Sequence, residues 1–175
     1  MTIDAQQKPE IVKLAKSHVT EAFNCGTVPL NVYLQRFALP NQSAGGAQTY
    51  GAIVGDRVVG YYSLSTASVE YAAASERLRK GLARHPISVI LLARLAVDHT
   101  WQGKGLGAAL LLDALRRILS AAEIVGLRAV LVHAKDESAK RFYEHFDFDP
   151  SPVDPMHLFL LVKEIARLLK PSEAG

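Results

Sequence analysis

This sequence carries a glycine-rich stretch between two apolar segments, Gln102-Gly103-Lys104-Gly105-Leu106-Gly107-Ala108. The apolar run Ile90 to Val97 precedes it, and a segment with helical periodicity, Leu110 to Ile124, follows it. A strand, a glycine turn and a helix in this order form a cradle for an anion, because the first N–H groups of a helix have no intrahelical partner and the helix dipole is positive there. The order therefore predicts a turn that binds a pyrophosphate.

The spacing within this turn narrows the choice of ligand. No Gly-Lys-Ser or Gly-Lys-Thr closes it, so it does not match the P-loop pattern. The next apolar run ends in Val132-His133-Ala134, without the acidic residue that holds a ribose in dinucleotide-binding folds. On the turn alone, a plain tight turn before a helix is an equally good interpretation.

A second segment, at residues 136–148, favours a ligand-binding turn over a plain tight turn. It carries the pair Phe142-Tyr143 on a predicted helix, within the pattern Ala-x-x-Phe-Tyr-Glu-x-x-x-Phe. Together with Gln-x-x-Gly-x-Gly, this pattern resembles the GNAT acetyltransferases. The resemblance implies an α+β GNAT fold, which is a mixed, mostly antiparallel twisted sheet with a V-shaped cleft between its central strands and helices on its flanks.

Further segments resemble a narrower group, the GNAT toxins of bacterial toxin–antitoxin pairs. They cover roughly Phe23 to Lys163 and comprise Phe23-x-Cys25-Gly26, Val59-Gly60-Tyr61-Tyr62-Ser63-Leu64, His85-Pro86-Ile87, Ala93-Arg94-Leu95-Ala96-Val97-Asp98, Leu131-Val132-His133-Ala134 and Ser151-Pro152-x-Asp154-Pro155-Met156.

Two positions depart from the superfamily pattern. Asp136 stands where Asn is usual, and Asp147 stands where Gly is usual at the end of the Phe-Tyr helix. Such a glycine commonly has a left-handed conformation, which Asp tolerates better than most residues. We therefore expect Asp147 to take that conformation and the fold to be kept.

The resemblance also implies which residues bind acetyl-CoA and carry the reaction. The backbone of Leu95, Ala96 and Val97 is expected to pair with the pantetheine arm, and the turn from Gln102 to Ala108 to hold the pyrophosphate. Tyr143 is expected to protonate the departing sulfur, since a phenol of pKa ~10 stays protonated at neutral pH. The alternative role for Tyr143 is that of a core aromatic residue. No metal is expected.

No carboxylate or histidine stands out as a general base. His133, Asp98 and Glu144 are candidates, but each has a simpler structural interpretation. An α-amino group, with a pKa of ~7.7–8.0, is far closer to neutral than a lysine side chain at ~10.4. This fits the acceptor that the toxin resemblance implies, the amino acid on a charged tRNA, whose acetylation stops its use in translation.

The basic residues are clustered, although the net charge is only +3. One cluster lies between Arg77 and His85, and a second, at the Tyr143 helix, comprises Lys135, Lys140 and Arg141. Clustered positive charge is expected where a protein contacts phosphates, and an ordinary solvated surface is the alternative. The candidate tRNA contacts are Arg77, Arg79, Lys80, Arg84, Arg94, Lys135 and Lys140.

Length and composition predict one domain over residues 1–175, with a loose lead-in at 1–10 and a tail helix at 163–175. A single cysteine, Cys25, and the lack of a long apolar run or signal segment indicate a cytoplasmic protein without a membrane span. The toxin resemblance further implies a ribbon-helix-helix antitoxin as partner and a homodimer.

Local patterns predict the remaining elements. Leu30 to Ala38 has helical periodicity, Asn41 to Ala47 resembles a loop, and Gly55-Asp56 is typical of a hairpin turn. The segment Ser75 to Arg84 resembles a basic helix.

Three functions compete at this point. The first is an N-acetyltransferase toxin acting on aminoacyl-tRNA, and the second is a GNAT enzyme acting on a small amine or a protein amine. The third is a non-catalytic acetyl-CoA-binding sensor or scaffold. The basic clusters favour the first over the second, and the presence of Tyr143 argues against the third.

Overall fold

The computed structural model describes residues 7–170. Seven strands form a sheet in the order β1-β2-β3-β4-β5-β7-β6. Their bounds are β1 Glu10–Lys13, β2 Gln48–Val54, β3 Arg57–Val69, β4 Ile87–Val97, β5 Ala129–His133, β6 Asp149–Pro150 and β7 His157–Leu161.

The sheet is mixed and mostly antiparallel, as the sequence predicts. The pairs β1–β2, β2–β3, β5–β7 and β6–β7 are antiparallel, whereas β4 and β5 run parallel. The helices are α1 Val28–Val32, α2 Ala38–Ser43, α3 Glu76–Arg79, α4 Leu106–Ala122, α5 Glu137–His145 and α6 Val162–Leu169. Together these elements form the α+β GNAT fold.

The chain divides into two compact units. One unit contains residues 1–64 and 94–113, and we call it the turn unit because it includes the glycine turn. The other contains residues 65–93 and 114–175, and we call it the tyrosine unit because it includes Tyr143.

In the turn unit, buried side chains from β3, β4 and the first helices form one apolar cluster. Phe23, Tyr33, Tyr61 and Ala96 belong to it. Gly60 of β3 lies under α4, since a Cβ there would meet Leu110 Cδ1 at 2.9 Å and Leu106 Cδ2 at 3.1 Å. This close approach fixes the first turns of α4, and with them the glycine turn that precedes the helix.

In the tyrosine unit, a second apolar cluster lies against β5. It includes Leu78, Val89, Leu131 and Leu161, each at most 6% exposed. The register of β4 on β5 runs from Val89↔Ala129 to Leu92↔Val132.

Several local predictions are confirmed, and others need correction. The hairpin at Gly55 is confirmed, with a φ of +67° at that glycine and Val54 paired to Arg57. The helix expected near residues 30–38 is present, with a wider π-helical turn at Tyr33–Phe37. The loop expected over 41–47 is partly wrong, because α2 continues to Ser43.

The basic helix expected over residues 75–84 is wrong beyond its first turn. Ser75 caps it by accepting from Leu78 N at 3.2 Å, but α3 ends at Arg79. Gly81, with a φ of +80°, lies in the irregular chain that follows.

The elements expected at the two chain ends lie only partly within the described residues. Residues 7–9 have no helix or strand, and β1 begins at Glu10. Helix α6 spans Val162–Leu169. The rest of the expected lead-in, 1–6, and of the expected tail helix, 171–175, lies outside the described residues.

Candidate active site

Within residues 7–170, the glycine turn presents backbone N–H groups without a backbone partner at the start of α4. Gly103 and Gly105 have φ values of +77° and +82°, which favour glycine, and a Cβ at either would meet no atom within 4 Å. Ala109 N donates to Gly105 O at 3.1 Å as the helix begins. The preceding N–H groups therefore have no carbonyl four residues earlier within the helix, and the positive end of the helix dipole lies there. These groups belong to Leu106, Gly107 and Ala108.

This geometry fits a pyrophosphate. The turn is open on the side where side chains would project, so a phosphate can approach the backbone closely. The exposed side chain of Lys104 adds a positive charge, with its Nζ 5.0 Å from the centre of the Trp101 ring.

The side-chain amide of Gln102 supports the glycine turn through two hydrogen bonds. Its Nε2 donates to Val97 O at 3.0 Å and to Cys25 O at 3.1 Å. The sequence predicts that Gln102 flanks the pyrophosphate. The structure shows its amide nitrogen bonded to these two carbonyls, which gives the side chain a role in holding the loop, and its place beside the pyrophosphate stays a prediction.

A buried carboxylate holds the segment between β4 and the turn. Asp98 is 0% exposed and accepts hydrogen bonds from Asn24 N at 3.0 Å and from both N and Oγ1 of Thr100, at 3.0 and 2.6 Å. Burial opposes its ionisation, but these hydrogen bonds and Arg57, 3.7 Å away, hold the pKa of Asp98 below its usual value. Asp98 is therefore a structural anion and is poorly suited to act as a base.

The motif Phe23-x-Cys25-Gly26 gains a physical role from these contacts. Asn24 O accepts from His99 N at 2.9 Å, and Cys25 O accepts from Gln102. Phe23 is 2% exposed and packs edge-on against Tyr61, with ring centres 5.6 Å apart. The motif therefore anchors the loop before α1 to the glycine turn. Sequence reasoning missed this connection, because its partners are distant in the chain.

The end of β4 extends past its pairing with β5. The registered pairs end at Leu92↔Val132, whereas the strand continues to Val97. Ala96 is 5% exposed and packs in the core of the turn unit. The binding of a pantetheine arm to Leu95, Ala96 and Val97 remains a prediction, as does the V-shaped cleft.

Tyr143 lies on α5 of the tyrosine unit. Asp136 caps that helix by accepting from Ala139 N at 2.8 Å, and Asp147 has the left-handed conformation expected of it, with a φ of +68°. The Tyr143 side chain is 8% exposed and contacts the rings of Phe142 and Phe148.

The chemistry of the Tyr143 hydroxyl suits a proton donor. Burial raises the pKa of this phenol above its usual value of 10.0, so the hydroxyl remains protonated at neutral pH. Among residues 7–170, no hydrogen-bond partner is found for it. No described protein group therefore competes for its proton, and its role as the proton donor stays a prediction.

The predicted basic cluster around α3 is less positive than the sequence suggests. Both terminal guanidinium nitrogens of Arg77 pair with carboxylates, Nη1 with Asp149 and Nη2 with Glu164. Arg79 lies over the Tyr71 ring, 5.5 Å from its centre. The remaining two residues, Lys80 and Arg84, are exposed.

Arg128 holds this region, and the sequence gives little sign of it. Its Nε donates to Leu78 O at 2.8 Å, and its Nη2 donates to Arg77 O at 3.1 Å and Lys80 O at 3.0 Å. An arginine just before β5 therefore satisfies three carbonyls at the end of α3. Only the fold reveals this contact, because 48 to 51 residues separate the partners.

The other candidate tRNA contacts are scattered. Lys135 is exposed just after β5, and Lys140 is half-buried on α5, both in the tyrosine unit. Arg94 lies in the turn unit, with its guanidinium carbon 3.6 Å from the centre of the Tyr33 ring.

Two histidines are stacked at the ends of β5 and β7. The rings of His133 and His157 lie 3.9 Å apart, and His157 Nε2 is 3.4 Å from Asp154 Oδ2. Loss of hydration and the neighbouring His157 lower the pKa of His133, while Asp154 opposes that shift. The stack gives His133 a structural role. Glu144, another candidate base, is exposed on α5.

Two other kinds of site are absent from the described part of the chain. Within residues 7–170, no group of His, Cys, Asp and Glu is arranged to hold a metal ion. No helix in the same range combines the length and apolar character needed to cross a bilayer.

The sheet, the glycine turn and the Tyr143 helix define an acetyltransferase of the GNAT class. The acetyltransferase (GNAT) domain family matches residues 45–150, and this chain belongs to that family.

Three comparisons describe its relatives. The chain is 47% identical over 148 residues to the tRNA-acetylating toxin of Mycobacterium tuberculosis (strain ATCC 25618 / H37Rv), covering 85% of this chain and 89% of that protein. It is similar to AtaT complexed with acetyl-methionyl-tRNAfMet, with a TM-score of 0.85, 28% identity, and coverage of 93% and 99%. It is also similar to a Tyr-to-Phe mutant of AtaT bound to the C-terminus of the antitoxin AtaR and acetyl-CoA, with a TM-score of 0.80, 27% identity, and coverage of 93% and 99%.

Proposed function

We propose that this chain is a toxin that transfers the acetyl group of acetyl-CoA to the α-amino group of an aminoacyl-tRNA and thereby blocks translation. The observation that carries the proposal is its similarity to a tRNA-acetylating toxin, at 47% identity over 85% of the chain. The structure of AtaT with acetyl-methionyl-tRNAfMet supports the same class of acceptor.

The glycine turn supports the binding of the donor. The free N–H groups of Leu106, Gly107 and Ala108 would bind the pyrophosphate of acetyl-CoA, and the left-handed Gly103 and Gly105 allow its close approach. The backbone at Leu95 to Val97 would pair with the pantetheine amides and polarise the thioester carbonyl. The donor supplies an activated acetyl group.

Tyr143 would complete the transfer. The neutral amine attacks the carbonyl carbon, a C–N bond forms, and the C–S bond breaks. Tyr143 donates its hydroxyl proton to the departing sulfur and recovers a proton from the acceptor nitrogen, so the net proton balance is zero. The raised pKa of its phenol keeps the donor form populated before each turnover.

The proposed acceptor fits the structural roles that two of the candidate bases have within residues 7–170. Asp98 is committed to its hydrogen bonds, and His133 is stacked on His157. An α-amino group of pKa ~7.7–8.0 is partly neutral at physiological pH, whereas a lysine side chain of ~10.4 is almost fully protonated. The enzyme can therefore use an α-amine without a dedicated general base.

For the nucleic acid, we propose that exposed basic residues of both units contact tRNA phosphates. Lys80 and Arg84 are the strongest candidates in the tyrosine unit because they are exposed. Arg77 is a weaker candidate, since two carboxylates already pair with it. We further propose that the chain is a single GNAT acetyltransferase domain, that the toxin is a cytoplasmic homodimer, and that a ribbon-helix-helix antitoxin neutralises it.

One observation favours a second function. The partial neutralisation of the α3 cluster by Asp149 and Glu164 leaves less positive surface than the sequence predicts. An enzyme that acetylates a small amine or a protein amine would require no more positive surface than remains here.

An acetyl-transfer assay distinguishes the two functions. Purified protein is incubated with radiolabelled acetyl-CoA and one of four acceptors: charged tRNA, the same tRNA without its amino acid, a polyamine, or a lysine-containing peptide. We expect label on charged tRNA alone, released when the aminoacyl ester is hydrolysed. Label on the polyamine or peptide, with none on charged tRNA, would establish the second function instead.

A further inference from the structure

Arg94 occupies an unusual position on β4. It immediately precedes Leu95, where the backbone is proposed to bind the donor, and it shares a strand face with Ala96, two residues on. Ala96 packs in the cluster that contains Tyr33 and Tyr61. The Arg94 guanidinium accordingly lies over the Tyr33 ring, 3.6 Å from its centre.

The aromatic surface beneath Arg94 is held rigidly. Tyr33 Oη accepts from Asn41 Nδ2 at 3.0 Å, and the Tyr33 ring is stacked on Tyr61 at 6.4 Å with an interplanar angle of 18°. Tyr61 Oη in turn donates to Leu30 O at 2.7 Å. The stack therefore holds the guanidinium in place before any ligand arrives.

The edge of this guanidinium has no partner among the residues that the structure describes. Among residues 7–170, Arg94 has neither a carboxylate within ion-pair distance nor a hydrogen-bond acceptor. Arg77 and Arg57 differ, since each lies near a carboxylate. Stacking occupies the planar face of the guanidinium. Its N–H groups remain at the edge, where two of them can donate in parallel to the oxygens of one anion.

From this arrangement we infer that Arg94, stacked on Tyr33, binds the phosphodiester that joins the terminal adenosine of the acceptor to the preceding nucleotide. The inference rests on the proposed function. It makes Arg94 a specificity-determining residue, because an anion held there lies beside the backbone proposed to polarise the thioester. The amino acid on that adenosine would then be oriented toward the acetyl group, whereas an acceptor without the phosphodiester would not.

Two minimal acceptors that differ by one phosphodiester test this inference. One is an aminoacyl ester of adenosine, and the other is the same ester of a dinucleotide that ends in adenosine. The ratio of their kcat/KM values measures the use of the phosphodiester. We expect wild type to prefer the dinucleotide about tenfold or more, as for a charge-assisted hydrogen bond.

Variants then test whether Arg94, stacked on Tyr33, causes the preference for the dinucleotide ester. Arg94→Gln should reduce the ratio to about one, and Arg94→Lys should give an intermediate value because a point charge replaces a fork of donors. Tyr33→Leu should also reduce the ratio, since the guanidinium loses its support. Arg36→Gln, at an exposed position in the π-helical turn, is the matched control and should retain the wild-type ratio.

The outcomes separate the inference from the function on which it rests. A full dinucleotide preference in Arg94→Gln and Arg94→Lys, with both variants folded by circular dichroism, would overturn the inference alone. A wild type that acetylates neither ester but readily acetylates a polyamine would overturn the proposed function and the inference with it.

Discussion

The glycine turn and the α3 region both present positive potential, but they obtain it differently. At residues 98–108 the potential comes from backbone N–H groups together with the exposed Lys104 side chain, and the polar side chains of Asp98 and Gln102 hold that backbone. Asp98 accepts three hydrogen bonds, and Gln102 donates two. Around α3 the potential comes from side chains, and the structure uses two of these internally, Arg77 in ion pairs and Arg128 in contacts to carbonyls.

This difference shows how poorly formal charge measures a binding surface. The backbone N–H groups at Leu106 to Ala108 add nothing to the net charge, yet the helix end favours an anion. Arg77 adds one charge, but Asp149 and Glu164 offset it. We therefore expect the glycine turn to bind its ligand through geometry and the α3 region to bind through long-range attraction.

The largest expected effect is on turnover and not on binding at the glycine turn or the α3 region. Tyr143→Phe keeps the ring and its contacts with Phe142 and Phe148 but removes the proton donor. Turnover should fall by ~10²–10⁴-fold, while the affinities for acetyl-CoA and tRNA stay near wild type. Steady-state kinetics at saturating substrates measure the first effect, and calorimetry measures the second. Turnover within a few-fold of wild type would assign Tyr143 a packing role only.

A substitution in the glycine turn should reduce donor binding. Gly105→Val places a β-branched residue at a φ of +82°, where strain of ~1–3 kcal/mol would shift the turn. The affinity for acetyl-CoA, measured by calorimetry, should fall about tenfold or more. Gly126→Val is the matched control, because its Cβ also meets open space and its φ is not positive. Equal affinities for the two variants would place the pyrophosphate elsewhere.

The hydrogen bonds that hold the glycine turn should contribute more to the stability of the protein than those that hold the α3 region. Asp98→Asn replaces one acceptor oxygen of a fully buried group with an amide donor, so an N–H or O–H group loses its partner at a cost of ~1–3 kcal/mol. Arg128→Met frees carbonyls near α3 that water can reach, so its cost should be smaller. Urea denaturation of both variants compares them. A larger loss of stability in Arg128→Met would reverse this ranking.

The smallest expected effect concerns the salt dependence of tRNA binding. Replacing Lys80 and Arg84 together by Gln should reduce the slope of log affinity against log salt concentration by about two, one for each phosphate that the variant no longer binds. Arg77→Gln should change the slope much less, since its charge is already paired. Filter binding over a range of salt concentrations gives both slopes. If Arg77→Gln changes the slope as much as the double variant, the ion pairs do not reduce its interaction with tRNA.

The features that the sequence predicts well are set by neighbours in the chain. The strand–turn–helix order at residues 90–124 and the Phe142-Tyr143 helix are encoded by local periodicity and glycine placement. The left-handed Asp147 is likewise a local consequence of ending a helix. These signals, with the family resemblance, are enough to locate the candidate donor site and the candidate proton donor.

The features that the sequence misses depend on distant partners. The basic helix stops at Arg79, and Arg128 instead binds the carbonyls at its end. The connection from Asn24 to Asp98 spans 74 residues. Nothing near Arg77 in the sequence indicates that Asp149 and Glu164 will neutralise it. Local patterns carry no information on such pairings, which only the folded chain brings together.

The most direct test of the central claim is to locate the acetyl group on the product. Charged tRNA is incubated with the protein and acetyl-CoA, digested with nuclease, and the terminal aminoacyl-adenosine is analysed by tandem mass spectrometry. The proposed function predicts that the added acetyl group is on the α-amino nitrogen of the amino acid, and that Tyr143→Phe produces far less of this species. Unmodified aminoacyl-adenosine from every charged tRNA, under conditions in which the same protein acetylates a polyamine or a lysine peptide, would contradict it.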